Sequence, residues 1–486
     1  MTEAPDTAHT SVDHVVARAA EAAPSWAAAG RAARADACEA IAAALEDDGA
    51  AIVTAAAEES HLPEAAMRGE LARTAYQWRF FADVVREGSY LEAAVDHPRD
   101  TPMGPQPDLR RMLEPIGPVA VFGASNFPLA FSTAGGDTAS ALAVGCPVIA
   151  KTHPSHPRTS DLVAAAVTRA LESSGAPAGA FATVEGFDEG IALVEHPQVR
   201  AVAFTGSLGG GRALLDRITA RPTPIPFYGE LSSINPVVVL DGAARERAAD
   251  IAQGLVASFT GRGGQLCTKP GLAFVPAGPA GDALVEAAVA ATGGVGGMRL
   301  LNDGIQTAYA SRVGGYAADP RVRVLARGTA GDDGTVTPAL LETDAGRIDG
   351  DLAEECFGPT TLVARYGSLE EVYAAVSRLH GSLTGTVHHG TGEDELLSEV
   401  LERLRPMAGR LIVGGFPTGV HVAWAQHHGG PWPATNTLHT SVGATAVRRF
   451  LRPVAWQNAP ESALPVELRD AAHLVPVRVD GRLQLP

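Results

Sequence analysis

The sequence predicts an α/β protein with a doubly wound parallel sheet, a second α/β domain and a small β arm. Of its 486 residues, 46% are hydrophobic and 19% are charged, so the chain is globular and long enough for two or three cores. Short apolar runs alternate with amphipathic segments through most of the chain, which is typical of parallel strands joined by helices. A strand-like alternation near the C-terminus predicts the separate arm.

The charge balance and the cysteines narrow the range of functions. Lys and Arg number 38 against 55 Asp and Glu, and the net charge of −17 disfavours binding to nucleic acids or anionic membranes. The four cysteines are too scattered for a disulfide framework or a Cys-x-x-Cys metal site, so we expect a cytoplasmic protein without a metal. Residues 1–6 do not begin a secretion signal, and no apolar run approaches the ~20 residues of a membrane helix. The expected partner is a small molecule.

The N-terminal part is predicted to be helical. Apolar residues recur every three or four positions in an Ala-rich stretch over 15–58 and again over 64–87. A polar, proline-containing connection follows at 97–105, and residues 110–114 are predicted to form an edge strand or hairpin. We expect this segment to leave the main body of the protein.

Strands and helices then alternate. This β-α-β pattern predicts a mostly parallel, doubly wound sheet, in which ligands bind at the carboxyl ends of the strands. The predicted strands are 119–122, 147–150, 181–184, 199–204 and 236–240, and the predicted helices between them are 129–144 and 160–173.

A second α/β domain is predicted after residue 242. The C-terminal residues 475–483 alternate like an exposed strand, which could pair with the arm near residue 110 and make a subunit contact. The second domain is predicted to contain helices at 243–258, 281–291 and 368–379, and strands at 272–275, 361–366 and 383–387.

A thiol and a carboxylate suggest covalent catalysis on a carbonyl group. Cys267 follows the glycine-loosened stretch Gly263–Gly264, and Glu230 ends an apolar run. A cysteine can form a thioester and a carboxylate can activate the water that hydrolyses it. Taken alone, a single intracellular cysteine is more often a small buried hydrophobic residue.

Two further segments follow predicted strands. Asn126 offers an amide that can hold an oxyanion, although by itself it would more often cap a helix. The glycine-rich turn with Gly206, Ser207 and Gly211 precedes a helix, where the backbone can approach a phosphate closely. Such a turn also has a purely structural explanation about half the time.

Together these segments resemble the aldehyde dehydrogenase superfamily, in residue type, order and spacing, over residues 15–460. Any one of the matching motifs could arise by chance, but five in the family's order hardly could. The motifs are Asn126-Phe127-Pro128, Phe204-Thr205-Gly206-Ser207 with Gly211, Glu230-Leu231, Gly264-Gln265-Leu266-Cys267-Thr268 and Glu355-Cys356-Phe357-Gly358-Pro359.

The resemblance implies a role for each reacting group. Cys267 would be the nucleophile that forms a thiohemiacetal, whose oxyanion is held by Asn126 and the Cys267 backbone N–H. Collapse of this intermediate would expel a hydride to the nicotinamide. Glu230 would be the general base that activates water for hydrolysis of the thioester.

The resemblance also implies an NAD(P) site. Three positions after Lys151, where NAD-preferring members often carry a Glu that repels a 2′-phosphate, this chain has Pro154. We therefore predict that NADP is preferred and that NAD is also accepted. The implied ligands are Lys151 for the adenosine ribose, Gly206, Ser207 and Gly211 for the diphosphate, and Glu355 and Phe357 for the nicotinamide ribose and ring.

A second layer of resemblance concerns the substrate. Residues 131–142, 151–157, 417–420, 428–435 and 440–443 look like the branch that oxidises 2-oxoglutarate semialdehyde (2,5-dioxopentanoate) to 2-oxoglutarate. A substrate with a carboxylate needs a cation or several N–H donors near the tunnel mouth. The candidates are Arg262, five residues before Cys267, and Arg73 with Gln77 on one helix face, although surface or loop-stabilising contacts explain them at least as well.

These inferences predict a domain division and leave alternatives open. The cofactor domain is predicted at 1–98 and 116–242 with 420–465 returning to it, the catalytic domain at 243–419, and an oligomerisation arm of a homodimer or homotetramer at 99–115 and 466–486. A broader-specificity or fatty-aldehyde dehydrogenase of the same fold is the nearest alternative, because few side chains set a substrate tunnel. A non-catalytic nucleotide-binding protein and an acyl transferase that releases to coenzyme A are further alternatives.

Overall fold

The computed structural model describes residues 11–331, 334–471 and 474–486. Residues 1–6, on which the expected absence of a secretion signal depends, lie outside the described residues. The described residues form three larger sheets, of which two are mainly or wholly parallel and the third, in the arm, is mixed. The predicted α/β fold class is confirmed.

Thirteen α-helices are formed by the described part of the chain. None of them combines the length and the apolar character that are needed to cross a membrane. The helices are α1 (Val12–Ala28), α2 (Gly30–Asp47), α3 (Gly49–Ser60), α4 (Glu64–Glu87), α5 (Gly136–Ala143), α6 (Pro157–Ser173), α7 (Phe187–Glu195), α8 (Leu208–Ala220), α9 (Asp241–Thr260), α10 (Pro279–Gly293), α11 (Asp303–Ala318), α12 (Leu369–Val376) and α13 (Asp394–Leu404).

The strands of the described residues alternate with these helices. They are β1 (Ala93–Asp96), β2 (Arg99–Thr101), β3 (Gly104–Gln106), β4 (Leu109–Pro115), β5 (Val119–Phe122), β6 (Val148–Lys151), β7 (Phe181–Val184), β8 (Ala201–Thr205), β9 (Phe227–Glu230), β10 (Pro236–Val239), β11 (Leu272–Pro276), β12 (Met298–Arg299), β13 (Arg323–Ala326), β14 (Thr335–Val336), β15 (Ala339–Asp344), β16 (Thr360–Tyr366), β17 (Ser382–His388), β18 (Ala408–Val413), β19 (Leu451–Gln457), β20 (Val477–Val479) and β21 (Arg482–Gln484).

The first sheet has the order β7-β6-β5-β8-β9, and every pairing in it is parallel. All four residues of β5 are buried, because helices cover both faces of the sheet. The carboxyl ends of all five strands meet at one edge. Residues that directly follow β5, β6, β8 and β9 are therefore brought together there.

The second sheet has the order β13-β15-β16-β11-β10-β17-β18. Only β13, at one edge, runs antiparallel to its neighbour. Residues 231–235 connect β9 of the first sheet to β10 of the second, so the chain passes directly from one sheet to the other. The loop that carries Cys267 lies between α9 and β11 of this second sheet.

The arm sheet has the order β19-β4-β1-β20-β21 and differs from its prediction in two ways. The strand near residue 110, β4, is not an edge strand, because β19 and β1 occupy its two sides. The C-terminal strand β20 consequently pairs with β1 instead of β4. The domain division itself stays a prediction.

The helix predicted over 129–144 is shorter than its apolar pattern suggests, since only Gly136–Ala143 is helical. The backbone N–H groups of Leu129 and Ala130 donate to Glu70 Oε1 at 2.9 and 3.1 Å. A buried carboxylate from α4 therefore satisfies these donors, and the segment before Gly136 forms turns.

Candidate active site

Three side chains from distant parts of the sequence converge on one point. His428 Nε2 lies 3.0 Å from Glu230 Oε1 and 3.5 Å from Cys267 Sγ. The sulfur, the nitrogen and a carboxylate oxygen all lie within 4.8 Å of one another. Glu230 and His428 are buried and Cys267 is half-buried, so this is a largely water-excluded group of reactive atoms.

The loop before Cys267 has a shape that few sequences can adopt. Arg262, Gly263 and Gly264 all have positive φ, at 52°, 70° and 66°. A Cβ at Gly264 would lie 2.2 Å from the carbonyl oxygen of Gly358, so only glycine fits there. The loop is thereby pressed against the segment that contains Glu355.

The loop is also anchored after the cysteine. The Asn235 side-chain amide donates to the backbone oxygen of Cys267 at 2.8 Å and to that of Lys269 at 3.0 Å. Asn235 is buried in the connection between the first two sheets. The position of the sulfur is therefore determined from both sides of the loop.

Neighbouring hydroxyl groups orient the other two side chains. Ser441 Oγ donates to Glu230 Oε2 at 2.8 Å, which leaves Oε1 facing His428. The backbone N–H of His428 donates to Thr440 Oγ1 at 2.7 Å. The segment 440–441 thus holds both partners of the sulfur in place.

Electrostatics place the proton on sulfur in the resting state. Burial raises the pKa of the Cys267 thiol well above its ordinary value, and the Glu230 and Glu355 carboxylates raise it further. Burial also acts to raise the pKa of Glu230, but His428 and the Ser441 hydroxyl outweigh it and bring that pKa below its usual value. Glu230 is therefore ionised and ready to accept a proton.

Asn126 lies beside the cysteine loop. Its Nδ2 donates to the backbone oxygen of Gln265 at 2.7 Å, two residues before Cys267. An amide nitrogen carries two N–H groups, so a second donor is left for another acceptor. Asn126 is 8% exposed, and a donor in such surroundings interacts strongly with a developing negative charge.

The carboxyl edge of the first sheet gathers a second group of residues. Ser207 Oγ accepts from the Gly210 backbone N–H at 3.2 Å and caps the N-terminus of α8. A Cβ at Gly206 would lie 2.6 Å from the Phe204 ring, and one at Gly211 would lie 2.2 Å from the Leu231 side chain. Gly211 therefore allows α8 to pack closely against the segment after Glu230, and Gly206 leaves room for the Phe204 ring.

Lys151, Glu355 and Phe357 are all half-buried. Lys151 ends β6, and burial lowers the pKa of its ammonium group. Glu355 Oε2 accepts from Ser232 Oγ at 2.8 Å and from the Ser233 backbone N–H at 3.2 Å. Burial raises the pKa of Glu355.

A cavity of about 540 Å³ leads to Cys267. Of the three residues predicted to bind a substrate carboxylate, Arg73 lines this cavity, whereas Arg262 and Gln77 do not. The apolar part of its wall is formed by Tyr76, Phe127, Phe131, Leu266, Val420 and Val422.

The three substrate candidates have different surroundings. Arg73 Nε and Nη2 donate to the Val420 backbone oxygen at 3.3 Å, while Nη1 is buried without a protein partner. Arg262 pairs with Glu70 at 2.8 Å instead of facing the cavity. Gln77 is 1% exposed, and both polar atoms of its side chain are buried without a partner.

Comparison with protein families identifies the chain. The model described as "Aldehyde dehydrogenase family" matches residues 1–431. The chain belongs to the aldehyde dehydrogenase family. The resemblance inferred from its motifs is thereby confirmed.

Two curated relatives cover most of this aldehyde dehydrogenase. The chain is 46% identical over 462 residues to "Alpha-ketoglutaric semialdehyde dehydrogenase 2" of Azospirillum brasilense, covering 93% of this chain and 88% of that protein. It is 41% identical over 444 residues to "Alpha-ketoglutaric semialdehyde dehydrogenase" of Acinetobacter baylyi, covering 90% of this chain and 84% of that protein.

A solved structure shows the same fold. Proline utilization A of Bradyrhizobium japonicum matches with a TM-score of 0.79 and 24% identity over 92% of this chain. The aldehyde dehydrogenase described here spans 44% of that longer chain.

Members of this family use NAD(P), and the carboxyl edge of the first sheet suits such a group. A Cβ at Gly209, in the first turn of α8, would meet nothing within 4 Å, so the helix N-terminus opens onto free space. Free N–H groups at such a terminus attract phosphate. A diphosphate fits at Gly206 and Ser207, and Lys151 lies at the same edge of the sheet, at the end of β6, which β5 separates from β8.

His428, Ser441 and Asn235 were missed as site residues by the sequence reasoning. His428 and Ser441 both lie within the C-terminal motifs that resemble the substrate branch, which was the available signal. No local spacing links them to the reacting pair, because 198 positions separate His428 from Glu230. Asn235 lies five residues after Glu230 but carries no recognisable pattern.

The same cluster offers a set of metal ligands. A thiol, an imidazole and a carboxylate are the three kinds of side chain that bind Zn²⁺, and their atoms lie within 4.8 Å of one another. A search for a Cys-x-x-Cys spacing could not find this group of possible metal ligands, because the three residues come from separate segments of the chain.

Proposed function

We propose that this protein oxidises 2,5-dioxopentanoate, the semialdehyde of 2-oxoglutarate, to 2-oxoglutarate with NADP or NAD. The observation that supports the proposal is that Arg73 and Cys267 both line one cavity. A cation and the nucleophile in one cavity suit an aldehyde whose other end bears a negative charge. The names of the two curated relatives support the same substrate.

The reaction begins at the sulfur. Cys267 transfers its proton to the ionised Glu230, either directly or through His428 Nε2, and the sulfur adds to the aldehyde carbon. The carbonyl oxygen becomes negatively charged and is held by the Asn126 amide and the Cys267 backbone N–H. A bound NAD(P) would supply the acceptor for the hydride that leaves this carbon, and a thioester would remain on Cys267.

Hydrolysis of the thioester uses the same groups. After the proton taken from the thiol has passed to solvent, Glu230 Oε1 accepts a proton from a water molecule, whose oxygen adds to the thioester carbon. The carbon–sulfur bond then breaks, the Cys267 thiolate takes the proton from Glu230, and the acid product releases its remaining proton to solvent and leaves as a carboxylate. Ser441 keeps Glu230 oriented throughout, because its hydroxyl donates to the oxygen that does not react.

Arg73 is the proposed ligand of the substrate carboxylate. Its guanidinium lies 4.9 Å from the centroid of the Phe131 ring and is fixed by Val420, while Nη1 lacks a protein partner. A buried cationic N–H without an acceptor favours an anion strongly. Arg73 would therefore orient the aldehyde end of the substrate toward Cys267.

The proposed preference for NADP depends on Pro154 and Lys151. No carboxylate stands at position 154, and Lys151 supplies a positive charge beside it. The other groups nearby contribute less, because Arg158 pairs with Glu58 and burial lowers the pKa of His153 to about 3. Equal initial rates with both cofactors, or faster rates with NAD, would contradict this preference.

We also propose that copies of the chain associate through the arm. Strands β19 and β21 are the two edges of the arm sheet, and β18 is an edge of the second sheet. Open strand edges pair readily with another chain. Light scattering after size-exclusion chromatography should give the mass of a homodimer or homotetramer, and a monomer would contradict the proposal.

A panel of purified-enzyme assays tests the substrate. The apolar walls of the cavity favour the alternative of a broader or fatty-aldehyde dehydrogenase, so the panel should include 2,5-dioxopentanoate, succinic semialdehyde, propanal and hexanal. Reduced nicotinamide is followed by absorbance. We expect kcat/KM to be highest for 2,5-dioxopentanoate, and a higher value for hexanal would overturn the assignment.

A further inference from the structure

A buried ion pair lies beneath the catalytic loops. Arg262 Nη2 lies 2.8 Å from Glu70 Oε2, and the two side chains are 18% and 2% exposed. Glu70 comes from α4, and Arg262 lies in the turn that leads to Cys267. A charge pair this deeply buried is costly to form, so its geometry must be supported by further contacts.

Arg262 closes a ring of hydrogen bonds with the proposed oxyanion donor. Its Nη2 donates to the Asn126 backbone oxygen at 2.9 Å. Asn126 Nδ2 donates to the Gln265 backbone oxygen at 2.7 Å. Gln265 Nε2 donates back to the Arg262 backbone oxygen at 3.0 Å. The ring joins the loop of Asn126 to the loop of Cys267.

Glu70 forms hydrogen bonds with both the loop of Asn126 and the loop of Cys267. Its Oε1 accepts the backbone N–H groups of Leu129 and Ala130, which follow Asn126 in the chain, while Oε2 holds Arg262. The Arg262 guanidinium also lies 4.4 Å from the centroid of the Phe127 ring. One carboxylate therefore ties the oxyanion loop and the nucleophile loop to a single helix.

We propose that Arg262, held by its ion pair with Glu70, is a positioning residue that orients the Asn126 amide toward the oxygen of the reacting carbonyl. This inference rests on the proposed function, because it assumes that Asn126 stabilises the oxyanion. The two N–H groups of Nη2 supply one bond to Glu70 and one to Asn126, which a guanidinium can do within its plane. Arg262 has a left-handed φ of 52°, and its Nη2 reaches the Asn126 backbone oxygen at 2.9 Å.

Lysine cannot replace this arginine. Its ammonium is a point charge on a flexible stem, so it can neutralise Glu70 without holding the Asn126 carbonyl in a fixed plane. Loss of one oxyanion donor costs about 10²–10³-fold in kcat, and a displacement of about 1 Å can cost 10²-fold. Because R262K displaces the donor without removing it, we expect a smaller loss, of about 10–100-fold in kcat.

The experiment compares reactions that need the oxyanion donor with one that does not. Aldehyde oxidation and the cofactor-free hydrolysis of p-nitrophenyl acetate both pass through an oxyanion, whereas alkylation of Cys267 by iodoacetamide does not. In R262K, kcat for the first two should fall about 10–100-fold together, with KM changed by less than about threefold. The alkylation rate should stay within about twofold, because the sulfur keeps its partners. R79K is a matched control, since Arg79 pairs with Glu46 at the exposed side of α4.

A double variant separates positioning from general stability. If Arg262 acts through Asn126, N126A/R262K should lose no more activity than N126A alone. E70Q, which keeps the shape of Glu70 but removes its charge, should reproduce R262K. Additive losses in the double variant, or an alkylation rate that falls in parallel with kcat, would overturn the inference. If N126A itself leaves both reactions unchanged, the proposed role of Asn126 fails instead.

Discussion

The Nε2 atom of His428 lies 3.5 Å from the sulfur of Cys267. The same nitrogen lies 3.0 Å from Glu230 Oε1, and a single imidazole nitrogen carries at most one proton. It can therefore take the thiol proton or donate to the carboxylate, but not both at once. His428 Nε2 can therefore pass the proton of the Cys267 thiol to the Glu230 carboxylate only by accepting it first and donating it afterwards.

Replacing His428 should slow formation of the acyl-enzyme. In H428Q we expect kcat to fall at least about tenfold, because the thiol loses one of its two proton acceptors. Alkylation of Cys267 by iodoacetamide at neutral pH should slow as well. H427Q, at the neighbouring histidine, is the control. Unchanged alkylation in H428Q would show that Glu230 alone deprotonates the sulfur.

Replacing Glu230 should separate the two halves of the reaction. The glutamine of E230Q keeps the size and the contact with Ser441 but cannot accept a proton. We expect a burst of about one reduced nicotinamide per site, followed by turnover that is slower by about 10²–10⁴-fold. Stopped-flow absorbance measures both phases. A loss of turnover without a burst would mean that His428 alone cannot accept the thiol proton and that acylation itself requires Glu230.

Replacing Arg73 should change the substrate preference. In R73M we expect KM for 2,5-dioxopentanoate to rise at least about tenfold, because the carboxylate loses a cationic partner, while KM for propanal changes little. R68M is the matched control, since Arg68 lies on the same helix in an exposed pair with Glu64. Equal changes for both aldehydes would mean that Arg73 shapes the cavity without binding the carboxylate.

Zinc should inhibit the enzyme reversibly. Cys267, His428 and Glu230 present a sulfur, a nitrogen and an oxygen to one point, and the cavity gives an ion access to them. We expect inhibition by Zn²⁺ that competes with the aldehyde and is relieved by EDTA. With Co²⁺, a sulfur-to-metal absorbance band should appear in the wild-type protein. Persistence of that band in C267S would assign it to another cysteine.

The docking of the C-terminal strands should depend on pH. His97 Nδ1 lies 2.8 Å from Asp480 Oδ2, and Nε2 lies 3.3 Å from Asp470 Oδ1. The bond to Asp480, followed by that to Asp470, raises the pKa of His97. Because the raised pKa belongs to the folded state, this contribution is complete below about pH 6.5 and is lost as pH rises through the folded pKa.

Hydrogen exchange can measure this dependence. After correction for intrinsic rates, amides of Val477–Val479 should be better protected at about pH 6 than at about pH 8.5. The pH dependence should disappear in H97Q. Asp480 has a lowered pKa, so its own contribution is lost only in acid. Protection that falls equally with pH in H97Q would point to another titrating group.

Several residues of the candidate site could be predicted from the sequence, because they lie at or near the carboxyl ends of parallel strands. Lys151 ends β6, and Asn126 and Ser207 lie in the turns after β5 and β8, while Glu230 was predicted only as the end of an apolar run. Parallel strands place their carboxyl ends at one edge. Local patterns were misleading where a distant side chain intervened. Glu70, for example, binds the backbone N–H groups that a longer helix before Gly136 would have used.

The order and type of residues along the chain establish the α/β fold class and the family, because strand and helix periodicities and short motifs are local properties. The partners of His428 and Arg262, and the pairing of the C-terminal strand with β1, follow only from folding. These contacts join residues that lie more than a hundred positions apart in the chain. They depend on how sheets and loops pack in space, which no periodicity encodes.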